Sequence, residues 1–132
     1  MPSVASEHPR SGISNAISNM AVRVMSEYTG RGPTRARTYI QGDLITVVMG
    51  DTLTRGERKL VESGNFDKVR DIRRRFQDAM REELVAGIEA ITGRRVLAFL
   101  SDNHMDPDLA VETILLEPRA KDDPPEIGES GT

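Results

Sequence analysis

Glycines and arginines that could bind an anion cluster in one short stretch, residues 30–37. Glycine-rich turns can present backbone N–H groups to an anion, and arginine binds phosphate or carboxylate groups through two hydrogen bonds at once. The spacing predicts an anion, small-ligand or partner site, which comprises Gly30, Arg31, Gly32, Pro33, Arg35 and Arg37. The alternative interpretation is a helix C-cap followed by a stiff turn into a strand, because a phosphate-binding loop would continue into a helix.

A second group of charged residues lies in residues 65–93, where apolar residues recur at steps of three and four and predict one long α-helix. Arg73 and Glu83 fall inside this apolar stripe, about 15 Å apart along the axis, which is too far for them to pair in one helix. Because a buried charge requires a partner, each is expected to reach solvent, to meet a counter-charge on the first helix, or to pair across a subunit interface. The third option predicts an oligomer interface made of Arg73, Phe76, Met80 and Glu83.

Further charges alternate in sign on the other side of the long helix: Arg70, Arg74, Arg81, Asp67, Asp71, Asp78 and Glu82. A solvated face with i,i+4 ion pairs is the simpler interpretation. The alternative function is a nucleic-acid-binding module that combines these arginines with Arg35 and Arg37 of the first hairpin. Residues 1–116 carry no net charge, however, whereas nucleic-acid-binding domains usually carry a basic surface.

The third group is an acidic stretch that invites a metal interpretation, with oxygen and nitrogen ligands available at Asp102, His104, Asp106 and Asp108. A helix-loop-helix calcium site requires glycine at its sixth position and glutamate at its twelfth, where this chain has Pro107 and Thr113. We therefore expect a solubilising hairpin turn and no metal. Neither paired carboxylates in a cleft nor a serine, histidine and aspartate arrangement is evident, so we expect no catalytic residues, no cofactor and no enzyme activity.

The elements that must position these residues follow from apolar periodicity and from turn residues. The predicted order is helix, strand, strand, helix, strand, strand, at residues 11–30, 35–41, 44–49, 65–93, 95–101 and 109–116. Thr54 and Glu57 form a capping box that opens a short additional helix through Val61. Two hairpins and two main helices predict an α+β two-layer sandwich, with a four-stranded antiparallel sheet covered by helices on one face.

Two of these strands, residues 44–49 and 95–101, are apolar on both faces. In residues 95–101, Val96, Ala98 and Leu100 are expected on one face, with Leu97 and Phe99 on the other. Since the helices cover only one face, the free face is expected to pack on another subunit. The long helix, about 40 Å at 1.5 Å per residue, is also expected to overhang a domain of about 110 residues and to contact a second subunit. We therefore predict a homo-oligomer, with a dimer favoured.

Composition predicts one small domain, residues 11–117, between a disordered leader, residues 1–10, and a disordered acidic tail, residues 118–132. The chain has no cysteine, which excludes disulfides and thiolate chemistry and fits a reducing cytoplasm. Its apolar runs are far shorter than the roughly 20 residues needed to span a bilayer. A cytoplasmic protein without direct membrane insertion is the resulting expectation.

Four features occur in a fixed order: Gly30-Arg31-Gly32-Pro33 at a helix end, the hairpin after it, Leu53-Thr54-x-x-Glu57, and Ile91-Thr92-Gly93 before a Val-rich strand. Taken together they resemble the MpsC family, small bacterial proteins named after a component of a sodium-translocating, membrane-potential-generating system. The resemblance covers residues 11–117. It implies a soluble accessory or regulatory partner of a membrane system for ion or inorganic-carbon transport, held at the membrane through a membrane-protein partner. It supplies no catalytic residues to assign here.

Overall fold

A computed structural model describes residues 9–119 of the 132-residue chain. Within that range the elements are α1 (Pro9–Thr29), β1 (Arg35–Gln41), β2 (Leu44–Gly50), α2 (Arg55–Glu62), α3 (Phe66–Thr92), β3 (Val96–His104) and β4 (Leu109–Leu116). The predicted α+β architecture is confirmed. α1 begins at Pro9, two residues before the predicted start, and the rest of the proposed leader and most of the acidic tail lie outside the described residues.

The helix ends carry the capping groups that their sequences predict. Thr54 and Glu57 form the reciprocal capping box of α2, with N···O distances of 2.8 and 3.1 Å. α3 ends at Gly93, which adopts a left-handed conformation with φ 70° and donates its N–H to the Glu89 carbonyl oxygen. Glycine adopts this conformation without the steric cost of a Cβ atom, so the long helix stops there.

The four strands form one antiparallel sheet in the order β1-β2-β4-β3, so β2 and β4 pair at its centre. Ile40, Ile45, Ile114 and Phe99 occupy one row across the four strands and point towards the helices. α1 and α3 pack on this face and close the main core. The opposite face of the sheet, which we call the open face, has no helix of residues 9–119 packed on it.

A β-bulge between Val96 and Ala98 corrects the predicted facing of β3. Val96 pairs with Leu116, while the next paired residue, Ala98, lies opposite Leu115. The extra residue places Val96 on the same side as the buried Phe99, and Leu97 is 59% exposed. The prediction that Leu97 and Phe99 share a face is therefore wrong, because strict alternation fails where a bulge inserts one residue.

The buried stripe of α3 runs from Val69 to Ile88. Its C-terminal part packs on α1, and its N-terminal part packs on α2 and on a small second cluster with Leu53 and Met105. The chain's own short helix thus covers the N-terminal part of α3, a contribution that the estimate from helix length did not include. The contact of α3 with a second subunit stays a prediction.

Candidate interaction surface

The open face displays an unusual concentration of exposed large apolar side chains. Within residues 9–119 it holds Leu100, 65% exposed, Leu97, Tyr39, Leu44 and Leu115. The other exposed large apolar residues, Tyr28, Phe66 and Ile72, lie on helices. A contiguous exposed apolar surface of this kind usually marks a protein interface. The sequence signalled it through strands that are apolar on both sides.

Charged residues flank this apolar surface on its two edge strands. Arg35 and Arg37 stand on β1, and Asp102 and His104 stand at matching positions on β3. One row across the sheet reads Arg37, Val48, Val111 and Asp102. The open face therefore carries two guanidinium groups at its β1 edge, and one carboxylate beside a histidine at its β3 edge.

A groove of about 430 Å³ lies along the β1 side of the open face, lined by Thr34, Arg35, Ala36, Arg37, Tyr39, Val48, Gly50 and Leu109. The guanidinium of Arg35 lies flat over Gly50, where an added Cβ would come within 2.6 Å of an arginine nitrogen. Gly50 thus lets the arginine lie against the sheet. Within residues 9–119, neither Arg35 nor Arg37 forms an ion pair, so both remain open to an anionic group.

The glycine-rich turn itself is occupied by a carboxylate of the same chain. Arg31 Nη2 lies 2.6 Å from Asp51 Oδ2, and Thr34 donates its hydroxyl to the same oxygen. These hydrogen bonds lower the pKa of Asp51. Gly30 has φ 78° and donates its N–H to the Ser26 carbonyl, which is the C-cap of the alternative interpretation. Of the predicted anion site, Arg35 and Arg37 face the groove, whereas Arg31 is already paired.

Asp108 has a structural role that the sequence did not reveal. Its Oδ1 accepts hydrogen bonds from the backbone N–H and hydroxyl of Thr52, at 3.0 and 2.9 Å, and its Oδ2 accepts from the Leu53 N–H. The carboxylate therefore fixes the connection between β2 and α2. Among the described residues, no group of three or more His, Cys, Asp or Glu side chains is arranged to hold a metal ion.

Arg73 lies in the core, 1% exposed, with its Nη1 3.3 Å from Glu57 Oε1. Glu112, also 1% exposed, accepts a hydrogen bond from Ser101 on the neighbouring strand. Burial raises the pKa of Glu112 to about 7, although Ser101 and Arg73 act in the opposite direction. These buried charges affect the stability of the folded chain, and they are not part of an external surface.

The predicted oligomer interface on α3 is not brought together as one surface. Arg73 and Met80 are buried inside the chain, and Phe76 is half-buried against the core. Only Glu83 is exposed, and it accepts a hydrogen bond of 3.0 Å from the Tyr28 hydroxyl on α1. The prediction for Arg73 and Met80 is wrong, because α2 and α1 supply the neighbours that a second subunit was expected to supply.

The arginines of the alternative nucleic-acid function do not converge either. Arg70 and Arg75 form exposed ion pairs with neighbouring aspartates on α3, and Arg81 donates to the Phe99 carbonyl. Since α3 packs on the inner face of the sheet, its outer side lies across the molecule from Arg35 and Arg37. The two sets of arginines cannot form one basic stripe.

Comparison with known proteins supplies the family. The profile described as "MpsC: Na+-translocating membrane potential-generating system (MpsC)" matches residues 10–118. The chain belongs to the MpsC family. No curated protein and no solved structure matches it. In this MpsC protein, no helix within residues 9–119 is long and apolar enough to cross a membrane.

Proposed function

We propose that this MpsC protein is a non-catalytic accessory or regulatory protein of a membrane ion-translocating or inorganic-carbon transport system, acting in the cytoplasm through protein–protein contacts. The observation that carries the proposal is the apolar open face, where Leu97 and Leu100 on β3 are 59% and 65% exposed. A monomer that kept this face in water would gain from covering it, because about 25 cal/mol is recovered per Å² of apolar surface buried.

The position of the titratable groups supports a role without chemistry. Glu57, Arg73 and Glu112 are enclosed between the helices and the sheet, where a substrate cannot reach them. The groove on the open face presents arginines, an aromatic ring and aliphatic side chains, which are typical of a protein interface. The family description supports the link to a sodium-translocating system, which this chain would assist through a membrane-protein partner.

The test is complementation in a host strain that lacks this gene and whose membrane potential is measured with a cationic dye in sodium medium. The wild-type chain is expected to restore the sodium-dependent potential. Leu100→Asp places a charge in the exposed apolar surface and is expected to abolish restoration at equal protein level, since Leu100 is too exposed to be needed for folding.

The matched control is Ile72→Asp, which changes an exposed apolar residue of α3 on the other side of the molecule. This variant is expected to restore the potential as the wild type does. Full restoration by Leu100→Asp would contradict the proposal, and so would equal failure of both folded variants.

A further inference from the structure

We infer that the open face binds a second copy of this chain, with a two-fold axis running along the strands so that Arg37 of each copy pairs with Asp102 of the other. The inference rests on the proposed function, in which the open face is the interaction surface, and it names the occupant.

The arrangement of charges on the sheet selects this axis. The two edge strands, β1 and β3, lie at equal distances on either side of the line between β2 and β4. A two-fold axis parallel to that line, about 5 Å above the open face, turns the sheet over and places β1 of one copy above β3 of the other, while every residue keeps its level along the strand. Arg37 and Asp102 share a level, because they lie in one cross-strand row. Arg37 of each copy therefore lies opposite Asp102 of the other, while Arg35 lies opposite His104, and the charge pairing rests on Arg37 and Asp102.

The same rotation matches the apolar residues. Leu44 of one copy meets Leu115 of the other, Val48 meets Val111, and Tyr39 meets Leu100, because each pair shares a cross-strand row. A two-fold axis across the strands would instead place each edge strand over itself, with like charges on the same side. The open face is thus complementary to a second copy when the two-fold axis runs along the strands, and not when it runs across them.

The dimensions allow the contact. Packed sheets lie about 10 Å apart and cross at about 30°. The edge strands lie about 7 Å from the axis, so the crossing angle displaces opposing residues by about 4 Å, which an arginine side chain can follow. The groove beside Arg35, Arg37 and Tyr39 would receive the β3 edge of the other copy, where Leu100 and Asp102 project.

The area indicates a dimer of modest affinity. The flat area of the open face is roughly 450 Å² per copy, from four strands spaced about 4.8 Å and seven residues at about 3.3 Å. The pair therefore buries about 900 Å², without the extra area that projecting side chains add. Stable interfaces bury at least about 1,000 Å² in total. We therefore expect a weak dimer, with a dissociation constant of about 10 to 100 µM.

The experiment is sedimentation velocity of the full chain from about 1 µM to 1 mM, a range that brackets such an affinity. The wild type is expected to rise with concentration from 14.6 kDa to twice that mass. Arg37→Asp sets a new carboxylate against Asp102 of the other copy, and Asp102→Arg sets a new guanidinium against Arg37 of the other copy. Each single variant is expected to weaken the dimer about tenfold or more, because two attractive pairs become repulsive.

An equimolar mixture of the two single variants provides the sharpest readout. In the mixed pair, one contact joins two introduced side chains of opposite charge and the other joins the native Arg37 and Asp102. The mixed dimer is therefore expected to recover to near wild-type affinity. A double variant carrying both changes is expected to recover in the same way. Arg74→Asp and Asp78→Arg, on the exposed side of α3, make the same changes in net charge and are expected to leave the dimer unchanged.

Circular dichroism of each variant verifies folding, since Arg37 and Asp102 are both exposed. A wild type that stays monomeric throughout the range would overturn the inference, as would a mixture of folded single variants that stays monomeric. If the chain is monomeric while Leu100→Asp still fails to restore the membrane potential, the second copy is the wrong occupant and the proposed function stands. Restoration by Leu100→Asp would instead refute the proposed function.

Discussion

Arg73 Nη1 lies 3.3 Å from Glu57 Oε1, in a pair that joins α3 to α2 inside the protein. Both side chains are buried, and the Thr52 carbonyl oxygen lies 3.4 Å from the same arginine nitrogen. A buried ion pair adds little net stability, but removal of one partner leaves an uncompensated charge in the core. The pair therefore makes the position of α2 depend on a charge carried by α3.

Arg73→Met is expected to lower the free energy of unfolding by about 3 to 5 kcal/mol, because Glu57 loses its counter-charge. Urea unfolding followed by circular dichroism measures it. Adding Glu57→Gln, which can keep the acceptor of the capping box, is expected to recover part of the loss. Arg75→Met, which breaks only an exposed pair with Asp71, should cost about 0.5 kcal/mol or less. Equal losses for Arg73→Met and Arg75→Met would contradict the buried-pair interpretation.

Glu112 makes stability depend on pH. Its folded-state pKa, about 7, lies above the usual value of 4.5, so the folded protein holds the proton more tightly than the unfolded chain does. This contribution to the free energy of unfolding is fully present below about pH 4.5 and is lost as pH rises to about 7, with a total on the order of 3 kcal/mol. Glu112→Gln is expected to remove this loss.

The measurement is urea unfolding of wild type and Glu112→Gln between pH 4.5 and 8, compared as a difference so that other titrating groups cancel. The wild type should lose stability relative to the variant as pH rises through this window. A difference that is constant with pH would show that Glu112 titrates normally.

Asp108→Asn is expected to destabilise the protein by about 1 to 3 kcal/mol. An asparagine amide would point a donor at a site where the carboxylate now accepts from Thr52 and Leu53. Asp106→Asn changes an exposed aspartate of the same turn and is expected to alter stability by about 0.5 kcal/mol or less. Thermal unfolding of both variants tests this, and similar melting temperatures would contradict the bracing role of Asp108.

Two glycines in helices should respond in different ways to the same substitution. Gly56 in α2 has open space around an added Cβ, so Gly56→Ala is expected to stabilise by about 0.5 to 1 kcal/mol. At Gly87 in α3 a Cβ would lie 2.7 Å from the sulfur of buried Met20, which must move. Gly87→Ala is expected to gain nothing or to destabilise. Chemical denaturation measures the free energy of unfolding of both variants. An equal increase in both would contradict the prediction.

The sequence was sufficient for elements whose signals are local. Thr54 and Glu57 predicted the start of α2, and Gly93 lies at the predicted end of α3. Each of these depends on residues within a few positions of one another, so their geometry is set before the chain folds back on itself.

Features that depend on residues far apart in the chain could not be predicted from the sequence. Arg73 finds Glu57 sixteen positions away, and Asp108 reaches Thr52 across 56 positions. Periodicity marked Arg73 as a charge needing a partner, yet several partners were open to it. The bulge at Leu97 was missed for the same reason, since an extra residue in β3 is defined only by its pairing with β4.

β2 and β4 pair at the centre of the sheet, yet α2, α3 and β3 all lie between them in the chain. Leu44 opposite Leu115 closes a loop of about 70 residues, whereas each hairpin closes within a few. The order of strands divides the fold into two units, each containing a main helix followed by a hairpin. They meet along the β2–β4 ladder and where α1 packs on α3. The two hairpins are expected to form early in folding, because their contacts are local. Pairing of β2 with β4 is expected late, and it completes the single sheet.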